Sequence, residues 1–165
     1  MLGVCRGLQF LHVMAGGALY QHVNNHNGDH PIFCVKSKQR IDKASSVHHQ
    51  MCIPSPDIGF ELIATSQKAD ERWLTPSHSI VGNRAEVEAA FYRDTCAFGV
   101  QGHPEYTGYP RYTKWCLDMI EQLIKHNPDI ENRKGKMRIK QELLDERELR
   151  NKEPVQLSNP AIQEG

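Results

Sequence analysis

The chain has 165 residues, enough for one domain with a true core. Its 20 basic and 20 acidic residues cancel, so no overall charge draws it to nucleic acid or to an anionic membrane. No apolar run reaches the roughly 18–20 residues that span a bilayer, and Arg6 and Gln9 break any signal-peptide pattern.

Leu2 to Val4 reads as a strand end that meets a tight turn at Cys5, with Gly3 and Gly7 flanking the cysteine. Such a turn needs glycine where a strand passes sharply into a helix. Leu8, Leu11 and Met14 or Ala15 then follow helical spacing, and Gly16-Gly17 stop the run. Cys5 is therefore expected at a helix N-terminus, where free N–H groups and the helix dipole favour a thiolate.

Ala18 to Val23 is a short strand or turn. Asn24 to Pro31 is a loop, with Asn27-Gly28-Asp29 as its turn signal. Pro31 to Val35, Phe60 to Thr65, Ala85 to Tyr92 and Ala97 to Val100 are predicted strands, the last one buried. Thr113 to Lys125 is the best helix, with Cys116, Met119, Ile120 and Leu123 on one apolar face and Asn127-Pro128 ending it. The domain is expected over 1–126. Residues 127–165 read as a charged, partly helical or disordered tail in which Met137, Leu143 and Leu144 form a narrow stripe. The five cysteines (Cys5, Cys34, Cys52, Cys96, Cys116) include no CxxC pair, which predicts free thiols in a reducing, cytoplasmic setting.

Two stretches carry chemistry. Cys5 is the first. The second is Phe98 to Glu105, where a buried strand runs into His103 and Pro104 keeps the next step extended. Residues two apart in extended backbone share a side, so Glu105 can stand behind the His103 imidazole, fixing its tautomer. His22, His26 and His30 recur every fourth residue, the spacing of a zinc site on a helix. The Asn- and Gly-rich sequence between them does not favour a helix, so no metal is expected.

Four segments together are similar to class I glutamine amidotransferase domains: Gly3-Val4-Cys5-Arg6-Gly7-Leu8-Gln9, Gly16-Gly17-Ala18-Leu19-Tyr20-Gln21, Ser46-Val47-His48-His49-Gln50 and Gly99-Val100-Gln101-Gly102-His103-Pro104-Glu105. The Cys-Arg-Gly elbow with Gly-Gly-x-Leu-Tyr-Gln and His-His-Gln most resembles the γ-glutamyl-peptide hydrolase (peptidase C26-like) branch, over about residues 1 to 125.

The resemblance implies an α/β, flavodoxin-like three-layer sandwich with a mostly parallel sheet. It implies a Cys5-His103-Glu105 triad that cleaves the γ-glutamyl amide of glutamine or a γ-glutamyl compound through a thioester, with no cofactor. The Arg6 backbone N–H would serve the oxyanion, and Gln9, His48, His49 and Gln50 would bind substrate. A synthase or amidoligase subunit is the partner implied if the product is ammonia for transfer. Members carry several strands and helices before the elbow, whereas two residues precede Gly3 here. An N-terminally truncated version of the fold is therefore expected, and a non-catalytic binding protein on the same frame is the alternative.

Overall fold

Leu2–Val4 forms β1, and the chain turns at Cys5 directly into helix α1, Arg6–Met14. Gly16 follows the helix at φ 95°, a conformation glycine adopts without strain. The computed structural model describes residues 1–82 and 84–125, within one compact unit, Met1–Lys125. Further strands and a second helix follow: β2 Leu19–Tyr20, β3 His22–Val23, β4 His30–Cys34, β5 Arg40–Ala44, β6 Met51–Cys52, β7 Phe60–Ser66, β8 Glu71–Thr75, β9 His78–Val81, β10 Glu86–Tyr92, β11 Ala97–Val100 and α2 Pro110–Lys125.

The main sheet has six strands in the order β1-β11-β10-β7-β4-β5. Its centre is β10, buried at all seven positions, between β7 and β11. A β-bulge between Val87 and Ala89 resets the alternation. Val87, Ala90 and Tyr92 thus join Leu8 and Leu11 of α1, while Ala89 and Phe91 join Tyr112 and Cys116 of α2. Each helix therefore belongs to its own face of the sheet, giving the three layers expected.

The sheet is not mostly parallel. Only β1 and β11 pair parallel; β11-β10, β10-β7, β7-β4 and β4-β5 are antiparallel. The reason lies in the connections. A parallel return needs a crossover of about a dozen residues or more, and β10 reaches β11 through residues 93–96 alone. Segment β1-α1 supplies the strand that lies parallel.

The predicted strands at Pro31 to Val35, Phe60 to Thr65, Ala85 to Tyr92 and Ala97 to Val100 are β4, β7, β10 and β11, and the helix predicted from Thr113 begins three residues earlier at Pro110. The earlier start has a physical explanation. Pro110 suits a helix start, and the Tyr112 N–H donates to Asp42 Oδ2 at 3.3 Å, a partner remote in sequence. Cys116, Met119, Ile120 and Leu123 do form the face against the sheet, joined by Tyr112 and Trp115. Strands β5, β8 and β9 have no clear apolar alternation and escape the sequence reading. The expected tail at 127–165 and the helix stop at Asn127-Pro128 lie outside the described residues.

Two glycines set the elbow. Gly3 and Gly99 are register partners on β1 and β11, a flat spot on which α1 rests. A Cβ on Gly3 would lie 2.6 Å from the Gly7 carbonyl carbon and oxygen, and one on Gly99 would lie 2.5 Å from Leu8 Cδ1. Gly7 differs from expectation, because its own Cβ position faces open space. Its backbone, not its missing side chain, is what the turn uses.

Candidate active site

Cys5 sits between β1 and α1 at φ 51°, ψ −107°, a left-handed conformation unusual for a residue with a side chain. Such strain costs on the order of 1–3 kcal/mol and persists only where surroundings enforce it. Here the Cys5 N–H donates to Val100 O at 2.8 Å, so the residue is tied to the end of β11. Cys5 and the Gln101–Glu105 segment therefore leave the same end of two adjacent parallel strands. In α/β sheets that carboxyl end is where ligands bind.

The thiol does not behave as the helix N-terminus alone predicts. Burial pushes the Cys5 pKa above its ordinary 9.0, and Glu105 adds to the rise. The Arg6 backbone N–H, the Arg6 charge and the Gln101 amide all favour the thiolate, but together they do not overcome desolvation. Cys5 thus rests as a thiol and needs a base to attack.

Past β11, the His103 N–H is held by Ser45 O at 3.3 Å. His103 Nδ1–H donates to Glu105 Oε1 at 2.7 Å, which leaves Nε2 as the ring's basic nitrogen. Burial pushes the Glu105 pKa up, but the bond to His103, its own backbone N–H and the His103 charge together outweigh it and hold the carboxyl below its ordinary pKa, so it stays ionised. Tyr106 stacks on the imidazole with ring centroids 4.9 Å apart. The expected His-x-Glu pairing is made, but not through extended backbone: Pro104 and Glu105 lie in a turn in which the Tyr106 N–H donates to His103 O at 3.3 Å.

A pocket of about 310 Å³ opens beside Cys5, lined by Cys5, Arg6, Gln9, Gln21, Val47, His48, His49 and Gln50. All the residues assigned to substrate contact from the sequence meet there. His103 and Glu105 are not among its walls; Glu105 borders a separate groove against α2.

Gln9 is more a brace than a free hand. Its Nε2 donates to Gln50 O at 2.7 Å and to Gln101 Oε1 at 3.2 Å, so both amide hydrogens are spent. His48 Nδ1–H donates to the same Gln50 carbonyl at 2.8 Å. Burial, then the neighbouring His26, lowers the His48 pKa to about 4, so His48 is neutral at pH 7. His49 is exposed and stacks on His22, centroids 5.8 Å apart.

The sequence reading missed Gln101. It is fully buried, and its Nε2 donates to Cys5 Sγ at 3.6 Å while its Oε1 holds Gln9. A polar side chain directly after the apolar run Ala97–Val100 was the available signal. Gln21, also missed, reaches the pocket from the loop after β2 and accepts from Gln50 Nε2 at 3.5 Å. The three histidines at fourfold spacing are split by the fold. His22 packs at a tilt against Trp73 at the surface, whereas His26 and His30 are buried, their rings 5.0 Å apart.

Among the described residues no helix is long and apolar enough to cross a membrane, and no disulfide involves Cys5, Cys34, Cys52 or Cys116. Comparison with known proteins gives consistent findings. The Peptidase C26 family model matches residues 1–105. Protein NtpR of Enterococcus hirae is 27% identical over 117 residues, covering 65% of this chain and 47% of that protein. The carbamoyl phosphate synthase small chain of Pasteurella multocida is 29% identical over 133 residues, covering 77% of this chain and 30% of that protein. The chain thus spans half or less of the length of these relatives. Among solved structures, a putative GMP synthase component from Thermoplasma acidophilum superposes with a TM-score of 0.55 at 18% identity, covering 76% of this chain and 57% of that one. That likeness bears out the flavodoxin-like α/β fold.

Proposed function

The chain belongs to the Peptidase C26 family, and from that premise we propose that it cleaves the γ-glutamyl amide bond of glutamine or a γ-glutamyl compound. Cys5 is the nucleophile, His103 the base and Glu105 the group that orients His103. The observation that carries the reading is Cys5 held at φ 51° at the start of α1, tied to the β11 end from which the bonded His103–Glu105 pair follows.

In this mechanism His103 takes the Cys5 proton as Sγ attacks the amide carbonyl. The raised thiol pKa makes that transfer necessary, since burial favours the protonated thiol over the thiolate that attacks. Arg6 N–H, already beside the sulfur, faces the developing oxyanion. The tetrahedral adduct collapses to a thioester as His103 returns the proton to the departing ammonia or amine. Water, activated by His103, then releases the acid and restores Cys5. Gln101 and Gln9 keep the sulfur and the Gln50 wall in register, and neutral His48 fixes the Gln50 carbonyl.

A second reading is that the ammonia passes to a synthase partner. Its support is the naming of two similar proteins as a carbamoyl phosphate synthase small chain and a putative GMP synthase component.

The test is ammonia or amine release from glutamine and γ-glutamyl anilide by the full chain, with hydroxylamine present to trap the acyl-enzyme as γ-glutamyl hydroxamate. Turnover and hydroxamate that vanish in Cys5→Ala are expected. Equal traces from both proteins sink the proposal. Release from γ-glutamyl anilide without any added protein favours the hydrolase over the ammonia donor.

A further inference from the structure

We propose that His26, His30 and Glu88 form a buried binding site for a divalent transition metal of the zinc type, beneath the pocket wall. The site lies outside the triad and does not depend on the reaction assigned to it. Each of the three residues offers a ligand atom, and these atoms all lie within 4.8 Å of one another. All three side chains are 2% exposed or less. For bonds of about 2.1 Å, tetrahedral donors stand about 3.4 Å apart, so the widest pair closes by moving each atom about 0.7 Å. Two imidazoles and a carboxylate suit zinc, which imposes little geometry of its own.

Unsatisfied atoms point the same way. Neither ring nitrogen of His26 has an aligned hydrogen-bond partner, and neither do His30 Nδ1 or Glu88 Oε2. Buried polar atoms in native proteins are nearly always paired; with His26 Nε2 facing Glu86 Oε2 at 3.3 Å, the three that remain, His26 Nδ1, His30 Nδ1 and Glu88 Oε2, mark a missing partner. Glu86 and Glu88 are buried together, bridged by the Ser66 hydroxyl; Arg72 pairs with Glu86 at 2.9 Å, and His30 Nε2 stands 2.7 Å from Glu88 Oε1, a contact that a metal ion held by both residues would replace.

The outer partners resemble those that tune metal sites. Ser66 Oγ lies 2.7 Å from Glu88 Oε1, and Glu86 Oε2 lies 3.3 Å from His26 Nε2. His48 is available as a fourth donor. Its ring stands 4.5 Å from that of His26, its Nε2 is unpartnered, and its Nδ1–H is already fixed by Gln50 O. The backbone brings these residues together: His48 N–H donates to His26 O, and Gly28 N–H to Ser46 O.

The full chain, dialysed against chelator and then titrated with zinc chloride, is expected to bind one equivalent, and Co²⁺ in its place should give the visible bands of a four-coordinate ion. Binding should be lost in His26→Ala and Glu88→Gln and weakened about ten- to hundredfold in Ser66→Ala. It should survive His22→Ala combined with His78→Ala, which removes exposed competitors. X-ray absorption at the zinc edge of the wild-type protein should show nitrogen and oxygen only, with at least two imidazoles, and decides the matter even if the core variants fail to fold. Absence of stoichiometric binding, sulfur among the ligands, or loss of binding in the surface double variant each overturns the proposal.

Discussion

Gly3→Ala is the sharpest test of the elbow. The added methyl would lie 2.6 Å from the Gly7 carbonyl carbon and oxygen and 2.8 Å from Leu11 Cδ1. Leucine can turn aside, but helix backbone cannot. Ordinary contact begins at 3.4 Å, so α1 must lift about 0.8 Å from the sheet. Overpacking of this kind costs about 1–3 kcal/mol, a large share of the roughly 5–15 kcal/mol that holds a domain together. The lift also carries Cys5 and Arg6 away from Gln101 and from the segment bearing His103. A shift of about 1 Å in reacting groups can cost about a hundredfold in rate. Urea unfolding should therefore give a lower midpoint with an unchanged slope, and γ-glutamyl anilide turnover should fall about a hundredfold. Gly7→Ala is the matched control. Its Cβ meets open space, and replacing a helical glycine should raise stability by about 0.5–1 kcal/mol. Wild-type stability and turnover in Gly3→Ala, or equal damage from Gly7→Ala, would refute the steric account.

Cysteine reactivity gives a second test. Burial raises the Cys34 pKa, but bonds from Ser37 and Lys36 outweigh it and lower the value overall, whereas Cys5 is raised. Iodoacetamide at pH 7 should label Cys34 before Cys5, and Cys5 labelling should climb about tenfold per pH unit to beyond pH 9; the reverse order, read by peptide mass mapping, contradicts this. His12, like His48, contributes to the pH dependence of stability. Its Nε2–H donates to Ile53 O at 2.9 Å and its Nδ1 accepts from Tyr92 OH at 3.1 Å, so it folds neutral, and burial lowers its pKa despite the Ile53 bond. A depressed folded pKa gives stability that is complete above the unfolded value of about 6.5 and is lost as pH falls below it. His12→Gln should make that acid limb shallower in urea titrations, leaving the share due to His48, and an unchanged limb excludes a contribution from His12. Tyr92→Phe leaves His12 Nδ1 buried without its donor and should cost about 1–3 kcal/mol. Glu105→Gln should lower kcat at least about tenfold with KM little changed, since it acts through His103; a loss confined to KM would assign Glu105 to binding instead.

The Gly3-to-Gln9 turn, the His103–Glu105 pairing and the long apolar elements were legible in the residues, because each depends on local geometry: glycine at a tight turn, a carboxylate two residues after an imidazole, helical periodicity in α2; that a turn rather than extended backbone joins His103 to Glu105 was not. Sheet direction was less so. The short link at residues 93–96 held the signal for an antiparallel pair, but the parallel expectation came with the resemblance rather than from the chain. Strands β5 and β8 became strands only through pairing, β5 with β4 and β8 with β3 and β9.

Sequence alone thus determined which side chains can do chemistry and where the backbone turns sharply. Tertiary structure decided their state. It buried Cys5 enough to keep its proton, spent the Gln9 amide on the pocket frame, and placed Gln101 against the sulfur from 96 residues away. It also separated His22 from His26 and His30 and delivered Glu88 to the latter pair. Desolvation and long-range hydrogen bonds arise only when distant segments meet, so no local pattern encodes them.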